Sequence, residues 1–186
     1  MKYNSPLVFL FIVVLLALGG FCPELLRADT VADSVDDWST TGEQGANGWS
    51  YGYYNLTEDG NNSYSVDEFI EFEAAHWRGE GWRLTPSNCP WTYIAQEGVH
   101  PNGTNSCPGE EHWPIRRWTS DIAGAVEVTW HTREVNLAGA GVSGLLFHNG
   151  ELVDSAVIAG GDGGGVTRTV DIILAVGDVL DLANSP

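Results

Sequence analysis

The chain has 186 residues, with 8 Lys+Arg against 25 Asp+Glu and a net charge of −17 at pH 7. A charge of that sign and size repels nucleic acid and anionic lipid surfaces, which excludes both as partners. What it favours is solubility in salt water or the binding of cations.

The first 28 residues read as a targeting signal. Lys2 precedes the apolar run Leu7 to Leu18, Gly19, Gly20 and Pro23 end it, and Ala28 is a small residue suited to cleavage. The pattern predicts a signal peptide with a helical apolar part, shorter than the ~20 residues a bilayer span needs. An uncleaved anchor stays open if the run extends through Cys22, whereas Phe21 stands where a lipoprotein needs a small residue. Removing this stretch takes away Lys2, Arg27 and Glu24 and shifts the net charge from −17 to −18. The expected location is the secreted, periplasmic or cell-surface space, with no membrane contact after cleavage. In that setting the two remaining cysteines, Cys89 and Cys107, read as a disulfide.

Residues 29–48 are acidic and polar and predict an extended lead-in, with Trp38 able to tuck back onto the body. Residues 49–186 predict a single domain. Gly48 to Asn55 (GWSYGYYN) suits a strand with Trp49, Tyr51 and Tyr53 on one face. Glu58 to Ser63 is turn chemistry. Val66 to Ala75 fits either period, and the close flanking turns favour a strand. His76 to Pro86 predicts a loop or short hairpin, Trp91 to Ala95 a short strand, and His100 to Glu111 carries no period.

Glu110 to Ser120 reads as a loop-to-strand junction and Gly124 to Trp130 as a half-buried antiparallel strand. Val142 to His148 and Leu152 to Ala159 flank Asn149-Gly150, a strong signal for a hairpin whose central residues take positive φ. The glycine loop Gly160 to Gly165 leads to Val166 to Ala175, and Val176 to Asp178 to a last strand, Val179 to Leu182. Short strands spaced by turns predict an all-β fold, an antiparallel β-sandwich of jelly-roll-like form with long aromatic loops. The stop just after a strand predicts either a truncated product or an open final edge that receives a strand from elsewhere.

The order GWSYGYYN, PWTYI, VHPN, HWPIRRWTS, a GLLFHNGELV hairpin and VGDVLDLANSP resembles a group of uncharacterised exported β-sandwich domains. These carbohydrate-binding-module-like domains occur in secreted bacterial proteins beside surface-anchoring or carbohydrate-active modules. The resemblance runs from about Asp33 to Pro186 and implies a jelly-roll-like sandwich with a binding role. Such domains usually continue past the equivalent of Leu182 into an acidic loop and a last strand, and the Cys89–Cys107 pair is not general among them.

Catalytic motifs are weak. Gly141 to Leu145 approaches a nucleophile elbow but has leucine at the last position, and the glycine loop around Asp162 precedes a strand. Glu110 and Glu111 beside His112 could act as acid and base in a glycosidase, or be solvated loop residues. His76, His100 and His112 lack the spacing of a zinc site, so no cofactor is expected beyond a structural calcium. Its candidate ligands are Asp59, Asn61 and Asn62 in one turn, or Asp162.

The tryptophans are the main signal, 8 in the chain. Indole faces stack on the apolar faces of sugar rings, while arginine and carboxylate groups bond hydroxyls. Trp82, Trp91, Trp113 and Trp118, with Arg116 and Arg117, are the candidate ligand residues. The competing reading makes them a second core under the loops, with arginines stacked on the rings. In an extended segment Arg116 and Arg117 point to opposite faces, so at most one meets a ligand. The function expected is a non-catalytic exported module for polysaccharide or surface glycan. The alternative is an assembly module that binds another surface protein through an open sheet edge, with a glycoside hydrolase third.

Overall fold

The computed structural model describes residues 7–14, 29–87, 89–106 and 109–186, with Leu10 as the described side chain of the first segment. Among the described residues the strands run β1 (Leu7–Val14), β2 (Asp29–Asp33), β3 (Trp49–Asn55), β4 (Ile70–Glu71), β5 (Gly81–Arg83), β6 (Tyr93–Ala95) and β7 (Val99–His100). There follow β8 (His112–Thr119), β9 (Gly124–Arg133), β10 (Gly141–His148), β11 (Glu151–Ala159), β12 (Val166–Leu174) and β13 (Val179–Ser185). They form a four-stranded sheet β12-β9-β1-β2, a six-stranded sheet β11-β10-β13-β8-β3-β4 and a small sheet β5-β6-β7. The pairings are antiparallel. The chain is thus an all-β, antiparallel sandwich.

The alternation in β9 explains the packing. Val126, Val128, Trp130 and Thr132 are buried, while Glu127, Thr129 and His131 point outward. The buried set meets Trp49, Tyr51, Trp118, Leu146, Leu180 and Leu182 from the six-stranded sheet, and Trp82, Ile94 and Val99 from the small one. The outer face of the six-stranded sheet is covered as well. Tyr54, Tyr64, Ile115, Phe147 and Ala183 form a second cluster there, with Leu56 and Phe69 packed on it. This double cover explains why five consecutive residues of β13, Leu180 to Asn184, are buried.

Several expectations change. The apolar run read as a leader helix is extended from Leu7 to Val14 and lies between β9 and β2. Its Val and Ile content suits a strand flanked on both sides. The lead-in is part of the sandwich, since β2 is in a sheet and Ala32, Asp33, Ser34 and Trp38 are buried. Gln44 acts as a piece of sheet: its amide donates to Tyr51 O and Phe72 O and accepts from Tyr51 N.

Val66 to Ala75 is not one strand but two 3-10 turns, Val66–Glu68 and Ala74–His76, around the two-residue β4. The Glu68 carboxylate caps Ser65 N at 2.6 Å and the His76 ring caps Glu73 N at 3.0 Å, so local side chains capture the backbone. Glu110 to Ser120 is largely a full strand, β8, in the middle of the sheet. The final strand is not an open edge either: β13 is bonded to β10 on one side and β8 on the other. The Asn149-Gly150 turn has φ of 51° and 84° and joins β10 to β11.

Candidate functional site

The elements around β8 bring the predicted residues together, but mostly as structure. Trp82 and Trp118 are almost wholly buried, so neither offers a face to a ligand. Trp82 stacks on Phe72 with 6.2 Å between ring centres and 4° between planes, and Trp77 meets it edge-on at 5.2 Å. Trp118 lies under Gly48, where φ is +80° and a Cβ would stand 3.0 Å from the indole nitrogen. For these residues the core reading holds and the platform reading fails.

Arg116 is fully buried as well, pointing inward from β8. Its guanidinium donates to Ser34 O, Ala95 O and Gln96 O, and lies 5.5 Å over Trp38 and 6.0 Å over Tyr51. It therefore clips the turn after β2 and the end of β6 to β8. Burial lowers its pKa to about 10, with the nearby Tyr51, Tyr93 and Asp33 opposing that shift. Beside it, burial pushes the Tyr51 hydroxyl up to about 12.

Arg117 points the other way, as alternation requires. It makes a bidentate pair with Asp181, both contacts at 2.8 Å, and also donates to Tyr64 Oη and Val66 O. Phe69 covers it at 4.1 Å. Burial alone would lower the Arg117 pKa, but the hydrogen bonds and charge of Asp181 outweigh it and the net shift is upward. Asp181 also accepts from Tyr64 Oη at 2.6 Å, so this triad is closed on itself.

Trp91 and Trp113 remain half-exposed. Trp113 lies edge-on to Tyr54 at 5.2 Å and donates its Nε1 to Glu111 at 2.8 Å. Trp91 lies against His100 at 5.7 Å, and its backbone N–H donates to the Asn102 side chain. They belong to separate packing groups, so the six candidate ligand residues do not form one platform.

The carboxylates beside them are also engaged. His112 is buried, shares a 2.8 Å hydrogen bond with Thr92 and stands 3.4 Å from Glu110. Burial lowers its pKa, with Glu58 opposing. The calcium candidates serve as turn formers. Asp59 accepts from Asn61 N, Ser63 N and Tyr54 Oη, and Asn61 Oδ1 from Ser63 N. Asn62 sits at φ 56°, and Asp162 accepts from Gly164 N and Gly165 N. Among the described residues no group of three or more His, Cys, Asp or Glu is placed to hold a metal ion. The expected disulfide involves Cys107, which lies outside the described residues; Cys89 accepts a hydrogen bond at its carbonyl from Thr85.

Sequence reasoning missed the partners that are distant along the chain: Asp181 and Tyr64 for Arg117, and Asp154, which accepts from both Trp130 Nε1 and Arg168. It also missed β11. This nine-residue strand is at the rim of the six-stranded sheet, paired to β10, and exposes Leu152, Val153 and Val157, the last at 84%. The fold therefore defines the class, an antiparallel β-sandwich with an aromatic interior. Compared with known proteins, the chain matches no family model and no curated sequence.

Proposed function

We propose that the chain is a non-catalytic, exported assembly module that binds another protein through sheet edges, not through a tryptophan platform. One observation carries this reading: β11 is a long rim strand with apolar side chains in solvent. Unpaired backbone groups beside exposed apolar side chains favour strand addition from another chain. The acidic surface and the leader-like first residues fit an exterior location. The non-catalytic part rests on the engagement of Glu111, His112, Asp59 and Asp162 in structural hydrogen bonds.

In the test, Val157→Lys is compared with the parent chain by sedimentation over a range of concentrations and by cross-linking on cells. The parent associates, with itself or a surface protein, and the variant does so at least about tenfold more weakly, as expected for charge on an apolar edge. A parent that stays unassociated in both settings overturns the reading.

Glycan binding is the second reading, favoured by the half-exposed Trp113 with Glu111 fixed on its indole nitrogen. It requires tryptophan fluorescence to change with a polysaccharide, and Trp113→Ala to abolish that change while keeping the fold.

A further inference from the structure

β1 is an interior strand. It pairs with β9 from Leu7↔Arg133 to Val14↔Val126 and with β2 from Phe11↔Asp33 to Val14↔Asp29. Leu10 has no exposed surface and belongs to the main core. Its N–H donates to Ser34 Oγ and its carbonyl accepts from Ser34 N, both at 3.0 Å. Yet the sequence places this segment in a leader, and cleavage after Ala28 falls directly before Asp29, the first residue of β2. Processing at that point would take a strand out of the middle of a sheet.

We infer that the lane between β9 and β2 is a strand-accepting groove. Leu7–Val14 fills it in the full-length chain, and an extended apolar segment of another polypeptide, antiparallel to β9, fills it after processing. The inference rests on the reading of the chain as an exported assembly module, and it names where the partner binds.

The two walls of the groove are held differently. β9 is bonded along its other side to β12, over the full range Val166↔Thr132 to Leu174↔Gly124. The turn that follows β2 is anchored through Arg116 to Ser34 O and through Gln96 Nε2 to Val35 O at 2.9 Å, and Asp33, the last residue of the strand, caps that turn. β9 keeps its β12 partner without β1, whereas β2, whose strand partner in the sheet is β1, is tied down at its C-terminal end. The groove presents two rows of backbone donors and acceptors, and a floor from Val126, Val128, Trp130 and Ala32. Each buried ladder group without a partner is costly, and so is exposed core surface. An extended segment with an apolar residue at the Leu10 position satisfies both at once. The longer ladder lies on β9, so that strand sets the register and β2 closes the far side.

The experiment uses the full-length chain with a specific protease site inserted between Gly19 and Gly20. After cutting, a fluorescein-labelled peptide of the Leu7–Val14 sequence with lysines at both ends is added. It should exchange with the native fragment to a one-to-one complex by native mass spectrometry. The Leu10→Asp peptide should bind at least about tenfold more weakly, because its carboxylate enters the core. Amides of β9 should lose hydrogen-exchange protection when the fragment leaves and regain it with the peptide. Release of the fragment without loss of protection, refusal of the peptide, or equal uptake of both peptides each overturns the groove. Export is read separately from the mass of the secreted product. A product beginning at Asp29 supports the processed state, and one retaining Met1 overturns export whatever the exchange result.

Discussion

Arg116 and Arg117 are neighbours in sequence with opposite work. Arg117 and Asp181 form a closed, buried pair, and removal of one partner strands the other charge in the interior. Asp181→Asn should therefore cost about 3 kcal/mol in urea denaturation, while Arg117→Met with Asp181→Leu should recover much of it. A double variant no more stable than the single would show that the pair is needed for more than charge balance. Acid sensitivity has a residue origin too. Burial lowers the pKa of His100 and His112, so the stability they contribute is present above their unfolded value near 6.5 and is lost as pH falls through it. Asp178, held down to about 2 chiefly by the Ala175 backbone N–H and by Asn149 and His148, contributes above about 4 and loses that on further acidification. Asp33, raised by burial, acts in the opposite sense. The urea midpoint should fall between about pH 7 and about pH 5. His112→Gln should flatten that fall, and an equally steep fall in the variant would assign it elsewhere.

At the scale of elements, the hairpin and the sheet interior are the most exacting parts. Gly150 sits at φ 84°, and a Cβ there would stand 2.9 Å from Val66 N. Gly150→Ala should destabilise by roughly 1–2 kcal/mol through left-handed strain and crowding, read as a lower thermal midpoint. Gly144 tests packing instead, since a Cβ there meets the Trp130 ring at 2.6 Å. Gly144→Ala should cost about 1–3 kcal/mol with the strand register kept, and an unchanged midpoint would mean that the indole moves aside freely.

This is also the scale at which the sequence was most and least readable. Strict alternation exposed β9, and Asn-Gly exposed the β10–β11 turn, because both signals are local. The strand order was not local. Nothing near Val179 says that β13 lies between β10 and β8, and nothing near Arg117 points to Asp181. The tryptophans were ambiguous for the same reason: whether an indole is covered depends on chain from elsewhere, such as Gly48 over Trp118. Val66 to Ala75 misled because capping by Glu68 and His76 outweighed its apolar spacing.

For the molecule as a whole, two packed clusters on either face of the six-stranded sheet make that sheet the stable centre. The four-stranded sheet depends on its interior strand. Leu10→Asp in the full-length chain should expose β9 and β2 to hydrogen exchange while β3, β8 and β13 stay protected. Uniform loss across both sheets would mean that the sandwich unfolds as one unit.

The pairing of Leu7 with Arg133 also carries a consequence for biosynthesis. A ribosome delivers the first strand long before its partner exists, and contacts so distant in sequence form slowly. The nascent chain thus passes through a long interval in which its apolar start is uncommitted. Any factor that captures extended, unfolded polypeptide for translocation has that interval in which to act.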